Sequence, residues 1–317
     1  MLQSSTSPKN STTVRSETAM RLTRAALQAA FAISEDFGSR LAERLFTTPH
    51  RHSRPDRERT VLASGVRFDV DVVLRSPRWN GRATKVAAWR WGIGPTVLLV
   101  HGWEGRGSQL GALVAPLVEA GLSVVTFDAP AHGDSPGSRL YLTDHADAIA
   151  DVVAAIGPVH AVVAHSFGAA AILLAYERHG VDAPRNVMIA PNVLIDDAIH
   201  KFARAVALDD RDRTSFERHL AGASGVPVDA LSVDRLAGPR DAALLIVHDR
   251  GDREVSVKHG DRLARAWPNA QLVLTDSLGH RRILRDDAVI ARVVGFVRET
   301  LPPPSSDLVR ELDRLLT

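Results

Sequence analysis

The spacing of hydrophobic and polar positions changes near residue 66. Before it, Leu22, Leu27, Phe31, Leu41 and Leu45 recur at helical spacing, so residues 17–47 predict one or two amphipathic helices. After it, Val66-Arg67-Phe68-Asp69-Val70-Asp71-Val72 alternates apolar and polar, as a half-buried edge strand does, and residues 84–91 predict its partner. Unbroken apolar runs follow at 96–100, 123–127, 160–164, 186–190, 242–247 and 271–274, the pattern of strands covered on both faces. Helical patterns separate them near 108–120, 143–156, 167–179, 255–266 and 284–299. Strands alternating with helices, joined by right-handed crossovers, give an α/β protein with a doubly wound, mostly parallel sheet.

One interval breaks this rhythm. Leu194, Ile195, Ile199, Phe202 and Val206 have helical spacing, and residues 226–236 predict a further short helix. An insertion at about 192–238 is longer than the usual strand connection and predicts a small helical cap. Residues 1–16, rich in Ser, Thr and Asn, read as a disordered tail, and the basic run 51–59 as a solvated connector. Pro302-Pro303-Pro304 is a rigid break before a capped helix from Ser306-Asp307, with Leu308, Leu312 and Leu315 on one face. The expected organisation is a tail and helical extension over 1–60, an α/β domain with its cap over 61–300, and a terminal helix over 301–317.

Composition narrows the function classes. The 317 residues are 45% hydrophobic and 24% charged, with a formal net charge of +2, so neither nucleic acid nor an anionic membrane is expected as partner. The chain has no cysteine, which excludes disulfides, thiolate catalysis and Cys-ligated metals. No run approaches the roughly 18 apolar residues of a membrane span. Arg21 and Arg24 precede an apolar stretch at 25–33, but it starts late, contains Gln28 and lacks a cleavage motif. A cytoplasmic location is the expectation, with export as the alternative.

The chemistry centres on Ala164-His165-Ser166-Phe167-Gly168-Ala169-Ala170. An apolar strand pattern enters a small-x-Ser-x-Gly turn, and a small-residue helix follows at once. That is what a nucleophile elbow needs: a sharp turn exposing the serine Oγ at a helix N-terminus. The bland reading makes Ser166 a helix cap. A nucleophile needs a base and a group to orient that base. Two later strands end where such partners belong. One runs into His248-Asp249-Arg250-Gly251-Asp252, the other into Thr275-Asp276-Ser277-Leu278-Gly279-His280. Either Asp249 or Asp252 could be the acid.

His101-Gly102-Trp103 after one strand, Asp128-Ala129-Pro130-Ala131-His132-Gly133-Asp134-Ser135 after the next, the elbow, and Gly279-His280 occur in that order. Together they resemble the α/β-hydrolase fold of serine esterases and lipases over about residues 66–300. The resemblance implies Ser166 as nucleophile, His280 as base and Asp252 as acid, the last favoured by Asp252-Arg253-Glu254-Val255, with Asp249 as a loop cap. It implies an oxyanion hole from the amides of Trp103 and Phe167, substrate contacts from Gly102, Glu104 and His165, and neither metal nor cofactor. Ala164 and Ala131 stand where the family usually has glycine. His132, His248, Asp128 and Ser135 read as structural, and Arg281 and Arg282 as solvated or packing residues, with an anionic substrate group as the alternative. A metal site at His132, Asp134 and His165 lacks any ligand spacing. A dinucleotide site at Gly102, Gly105 and Gly107 has its glycines in the wrong order.

The expected function is cofactor-independent hydrolysis of a small or medium carboxylic ester or thioester through an acyl-serine intermediate. The alternatives are an acyltransferase using the same triad and a non-catalytic ligand-binding protein of the same fold. The expected partner is a small-molecule ester, and a homodimer is compatible with the terminal helices.

Overall fold

The computed structural model describes residues 10–238 and 240–299. The chain begins with two helices, α1 (Asn10–Ile33) and α2 (Glu35–Thr47). Ser34 caps α2, its Oγ accepting from the Phe37 amide at 3.1 Å, and Glu35 and Asp36 supply the negative charge favoured in a first turn. Residues 10–16, expected to be disordered, extend α1 instead: adding a residue to an existing helix fixes one residue for one hydrogen bond. Residues 1–9 and the helix expected after Pro302-Pro303-Pro304 lie outside the described residues.

A short α3 (Asp56–Ala63) leads into the antiparallel pair β1 (Val66–Leu74) and β2 (Arg82–Trp91). The parallel strands follow. β3 (Thr96–Val100) and β4 (Ser123–Phe127) end where their apolar runs end. Between them, the helix expected over 108–120 divides into a 3₁₀ segment (Gly107–Leu113) and α4 (Val114–Glu119), because Gly107 and Gly111 are poor helix formers and Pro116 is tolerated only in a first turn. Next come α5 (Leu142–Ile156), β5 (Val159–His165), α6 (Phe167–His179) and β6 (Arg185–Ile189). The interval after β6 holds α7 (Ile195–Ala205), α8 (Asp210–Ser224) and α9 (Val233–Ala237). β7 (Ala243–Asp249), α10 (Lys258–Ala266), β8 (Ala270–Thr275), α11 (Gly279–Arg282) and α12 (Asp287–Arg298) complete the described chain.

One eight-stranded sheet results, in the order β1-β2-β4-β3-β5-β6-β7-β8, with β3 to β8 parallel. Alternate residues of the central strands serve opposite cores. Leu98, Val100, Val162, Ala164 and Ile246 face α5 and α6, whereas Val97, Leu99, Val163, Val187 and Val247 face Leu113, Leu117, Val293 and Phe296. β8 was expected to be covered on both faces. As the last strand it has only β7 beside it, and it is half-buried. The chain leaves β3 towards one face and β5 towards the other, and this switch point opens a crevice at their carboxyl ends.

The N-terminal helices close one side of that crevice. α2 packs on α8: Ser39 and Ser215 share a hydrogen bond of 3.0 Å, and the rings of Phe46, Phe202 and Phe216 meet at 5.1–5.6 Å. The basic run 51–59 is not a solvated loop. Arg51 donates to the carbonyls of Gly133 and Ser135, each at 2.7 Å, and Arg54 pairs with the fully buried Asp128 at 3.2 Å. Glu58 accepts from Arg106 at 2.6 Å with both side chains under a tenth exposed. Three side chains from this run therefore bind elements beyond β3, with partners that local composition cannot reveal.

Removing one member of a buried ion pair leaves the other unpaired and typically costs about 3–5 kcal/mol. Glu58→Ala is expected to destabilise the fold by that order, whereas Leu22→Ala, at a residue 67% exposed, should change stability by less than about 0.5 kcal/mol. Urea unfolding of both variants checks this.

Candidate active site

Ser166 lies between β5 and α6 with φ 52° and ψ −123°, a backbone conformation costing a non-glycine residue on the order of 1–3 kcal/mol. The surrounding backbone holds it there. The Ser166 amide donates to the Ile189 carbonyl at 3.1 Å, and its carbonyl accepts from the Ala169 and Asn192 amides at 3.0 Å. Two glycines permit the approach. A Cβ on Gly168 would sit 2.6 Å from the His101 carbonyl oxygen, and one on Gly102 would sit 2.8 Å from the Ser166 Cβ. Ala164 keeps its register with Val100 and Met188, so its methyl group does not break the strand pairing.

His280, on α11, brings its Nε2 to 3.0 Å from the Ser166 Oγ. Its Nδ1 lies 2.7 Å from Asp252 Oδ2. The Asp252 side chain has no solvent exposure, and its Oδ1 accepts from the amides of Glu254 at 2.8 Å and Val255 at 3.0 Å. Burial acts to raise this carboxyl, but the hydrogen bonds from His248, His280 and the Val255 amide outweigh it and hold the group well below the ordinary carboxylate range. Asp249 is differently occupied. Its Oδ1 accepts from the Gly251 amide, and its Oδ2 accepts from Thr275 Oγ1 and the Leu278 amide, each at 2.9 Å. It thereby ties β7 to the loop that carries His280.

Trp103 follows β3, and its ring meets those of Phe167 at 5.8 Å and His132 at 5.5 Å. Phe167 is the first residue of α6, where a backbone amide has no acceptor within the helix. Glu104 has φ 54°. His132 Nε2 accepts from its amide at 3.1 Å, and its carboxylate accepts from the His50 amide at 3.1 Å with His50 Nδ1 at 2.8 Å. The Glu104 side chain is therefore tied to the N-terminal segment. His165 donates from Nε2 to the His280 carbonyl at 3.0 Å, so it braces the segment that carries His280. Arg281 pairs with Glu254 at 3.1 Å, and Arg282 donates to the carbonyls of Leu278 and Ser277. Gly105 and Gly107 pack against the Gly102 carbonyl and Thr126. Among the described residues no group of three or more His, Cys, Asp and Glu could hold a metal ion.

Two adjoining cavities open beside the turn that carries Ser166. One, of about 740 Å³, is walled mainly by apolar side chains, among them Phe46, Trp103, Phe167, Ile199, Phe202 and Leu220. The other, of about 630 Å³, is polar and reaches Ser166 and His280. Trp103, Glu104 and Asn192 line both. The contributions of Phe46 and Asn192 were missed from the sequence, since nothing local marks either residue as part of a site.

Four buried histidines surround the centre. Burial pushes His101 well below its ordinary value, His132 to about 4, and His145 and His165 each to about 3. Both ring nitrogens of His145 lack partners among the described residues. An unfolded histidine takes its proton near pH 6.5 and these folded ones do so only lower, so their contribution is complete above about pH 6.5 and is lost as pH falls towards 3–4. Unfolding free energy should drop between pH 7 and 5, by on the order of 1–2 kcal/mol per histidine. His145→Phe should flatten that dependence, as measured by urea unfolding at both pH values.

Among the described residues no helix is long and apolar enough to cross a membrane. Comparison with curated protein sequences finds no match. The structure is similar to a bromoperoxidase from Bacillus anthracis at 19% identity, over 73% of this chain and 100% of that one, with a TM-score of 0.57. It is similar to an esterase from Pyrococcus furiosus at 18% identity, over 79% of this chain and 98% of that one, also with a TM-score of 0.57. At such identities the likeness concerns the fold. Residues 97–293 match the profile of the alpha/beta hydrolase family, and with the eight-stranded sheet this makes the chain a member of the alpha/beta hydrolase family.

Proposed function

We propose that the protein is a serine hydrolase that cleaves a small or medium carboxylic ester or thioester through an acyl-Ser166 intermediate. The observation that carries this reading is the continuous path from Ser166 Oγ to His280 Nε2 at 3.0 Å and from His280 Nδ1 to Asp252 Oδ2 at 2.7 Å, ending on a strained strand-to-helix turn.

The Ser166 Oγ attacks the acyl carbonyl carbon while His280 Nε2 takes its proton. Asp252 holds the ring in its Nδ1–H tautomer and stabilises the cation that forms. The amides of Trp103 and Phe167 stabilise the oxyanion, a contribution worth a few kcal/mol in such sites. His280 then protonates the departing alcohol or thiol as the bond to carbon breaks. Water enters, gives its proton to His280, attacks the acyl carbon and releases the acid, and the proton returns to Ser166.

Intact-mass labelling with a fluorophosphonate tests the nucleophile. A single adduct on the wild type, absent from Ser166→Ala, is expected, together with loss of ester turnover in that variant. Retained turnover in a folded Ser166→Ala protein overturns the reading. Asp252→Asn should lower kcat by about 10⁴, because the ring adopts the wrong tautomer. Asp249→Asn should act mainly through the melting temperature, because Asp249 holds the loop and not the ring.

Because the Asp252 carboxyl is held well below the ordinary carboxylate range, it stays ionised through the acid side of the pH profile. The acid side of the pH profile of kcat/KM should therefore show one ionisation and a limiting slope of one. A slope of two would mean that the carboxylate titrates alongside the base.

A further inference from the structure

The polar cleft reaches Ser166 itself, and the apolar cavity adjoins it along Trp103, Asn192, Lys201, Arg253 and Val255, which line both. The apolar cavity takes in Trp103 and Phe167, the residues of the oxyanion hole, without reaching His280. The polar cleft takes in Ser166, His165 and His280. The histidine that protonates a leaving group must face it, so the leaving group lies in the polar cleft and the acyl chain in the apolar cavity. The cleft is also charged. Its carboxylates are engaged: Glu58 by Arg106 at 2.6 Å, Glu104 by His50 at 2.8 Å, and Glu254 by Arg281 at 3.1 Å. Arg57 of α3, Arg253 of the β7–α10 loop and Arg285 beyond α11 line the same cleft, and none of the three has a carboxylate partner among the described residues. Elements far apart in sequence thus bring three uncompensated guanidinium groups to the side where the leaving group departs.

We infer that the substrate is an amphiphilic acyl ester or thioester with an apolar acyl chain and an anionic leaving group, such as a phosphorylated or carboxylated alcohol or thiol. This rests on the serine hydrolase reading. The chemistry is unchanged: the Ser166 Oγ–acyl bond forms, the bond from the acyl carbon to the leaving oxygen or sulfur breaks, and the serine proton goes to that atom through His280. The arginines hold the anion, and the apolar side chains of Phe46, Phe167, Ile199, Phe202 and Leu220 hold the chain. Exposed cations each contribute modestly, and three acting together are worth about tenfold in kcat/KM at low salt.

The test compares 4-sulfophenyl octanoate with its neutral isostere, 4-(methylsulfonyl)phenyl octanoate, and each with the corresponding acetate. Substrates are presented as monomers and separately in neutral phosphatidylcholine vesicles. The anionic octanoate should be preferred over the neutral one by about tenfold at low salt, with the preference shrinking at high salt. In an Arg57→Gln, Arg253→Gln, Arg285→Gln variant the ratio should approach one. Octanoates should be turned over faster than acetates. A preference among monomers points to a soluble substrate, and one seen only in vesicles points to a lipid headgroup. Equal rates for the anionic and neutral octanoates in both presentations, an unchanged ratio in the triple variant, or a preference for acetates overturns the inference. If Ser166 takes up the fluorophosphonate under those outcomes, only the substrate class is wrong. If Ser166 takes up no fluorophosphonate and no ester is cleaved, the hydrolase reading fails and the substrate class falls with it.

Discussion

The close approach of three backbones around Ser166 is the constraint on which the rest of the site depends. The serine adopts a conformation that disfavours any side chain, and it does so because β6, α6 and the segment at Asn192 hold its amide and carbonyl. The Gly102 and Gly168 positions let the loop after β3 and the first turn of α6 press together. The same crowding sets the Trp103 and Phe167 rings edge to face beside the nucleophile. A substitution that widened this junction would relax the strain and move the amides of Trp103 and Phe167 away from Ser166 at the same time.

Around that junction the molecule uses neutral imidazoles as structural parts. His101 bonds to the Gly102 carbonyl at 2.7 Å and accepts from the Ala129 amide at 2.9 Å, His132 accepts the Glu104 amide, and His165 supports the His280 carbonyl. Each ring bridges segments that meet only at the carboxyl ends of the strands. An imidazole can donate with one nitrogen and accept with the other, which suits it to joining a carbonyl on one loop to an amide on the next. Protonation would turn the accepting nitrogens of His101 and His132 into donors and break those two bridges. The low proton affinity of these buried rings therefore belongs to the architecture of the loops as well as to their environment.

What the sequence revealed was local. The apolar runs of β3 and β4 carry their own boundaries, and the small residues around Ser166 announce a tight turn. Asp252 and His280 were legible because each follows a strand end by a short, turn-rich loop. The 51–59 run was not legible, since its partners lie some 50 to 86 residues away and a basic run in isolation reads as solvated. The identity of the cavity walls was equally hidden, because Phe46 on α2 and Phe202 on α7 meet only through the packing of α2 on α8. Ala131 shows another limit. It has φ 66° where glycine would be at ease, and its amide is held by the Pro136 carbonyl at 2.8 Å, a contact the local sequence does not announce.

The dependence of the first sixty residues on later ones bears on the order in which the molecule can be completed during synthesis. Those residues leave the ribosome first, yet Glu58 waits for Arg106, Arg51 for the carbonyls at 133 to 137, and Ser39 for Ser215. Until residues 106 to 137 have emerged, Arg51, Arg54 and Glu58 lack these partners, and until α8 has emerged the apolar face of α2 lacks its own. Domains commonly fold from the N-terminus as they are made. In this chain the N-terminal segment is satisfied only by elements that follow it. The apolar cavity therefore gains its α2 wall only once α8 is in place, so an incomplete chain would have the strained Ser166 turn without an enclosed cavity beside it.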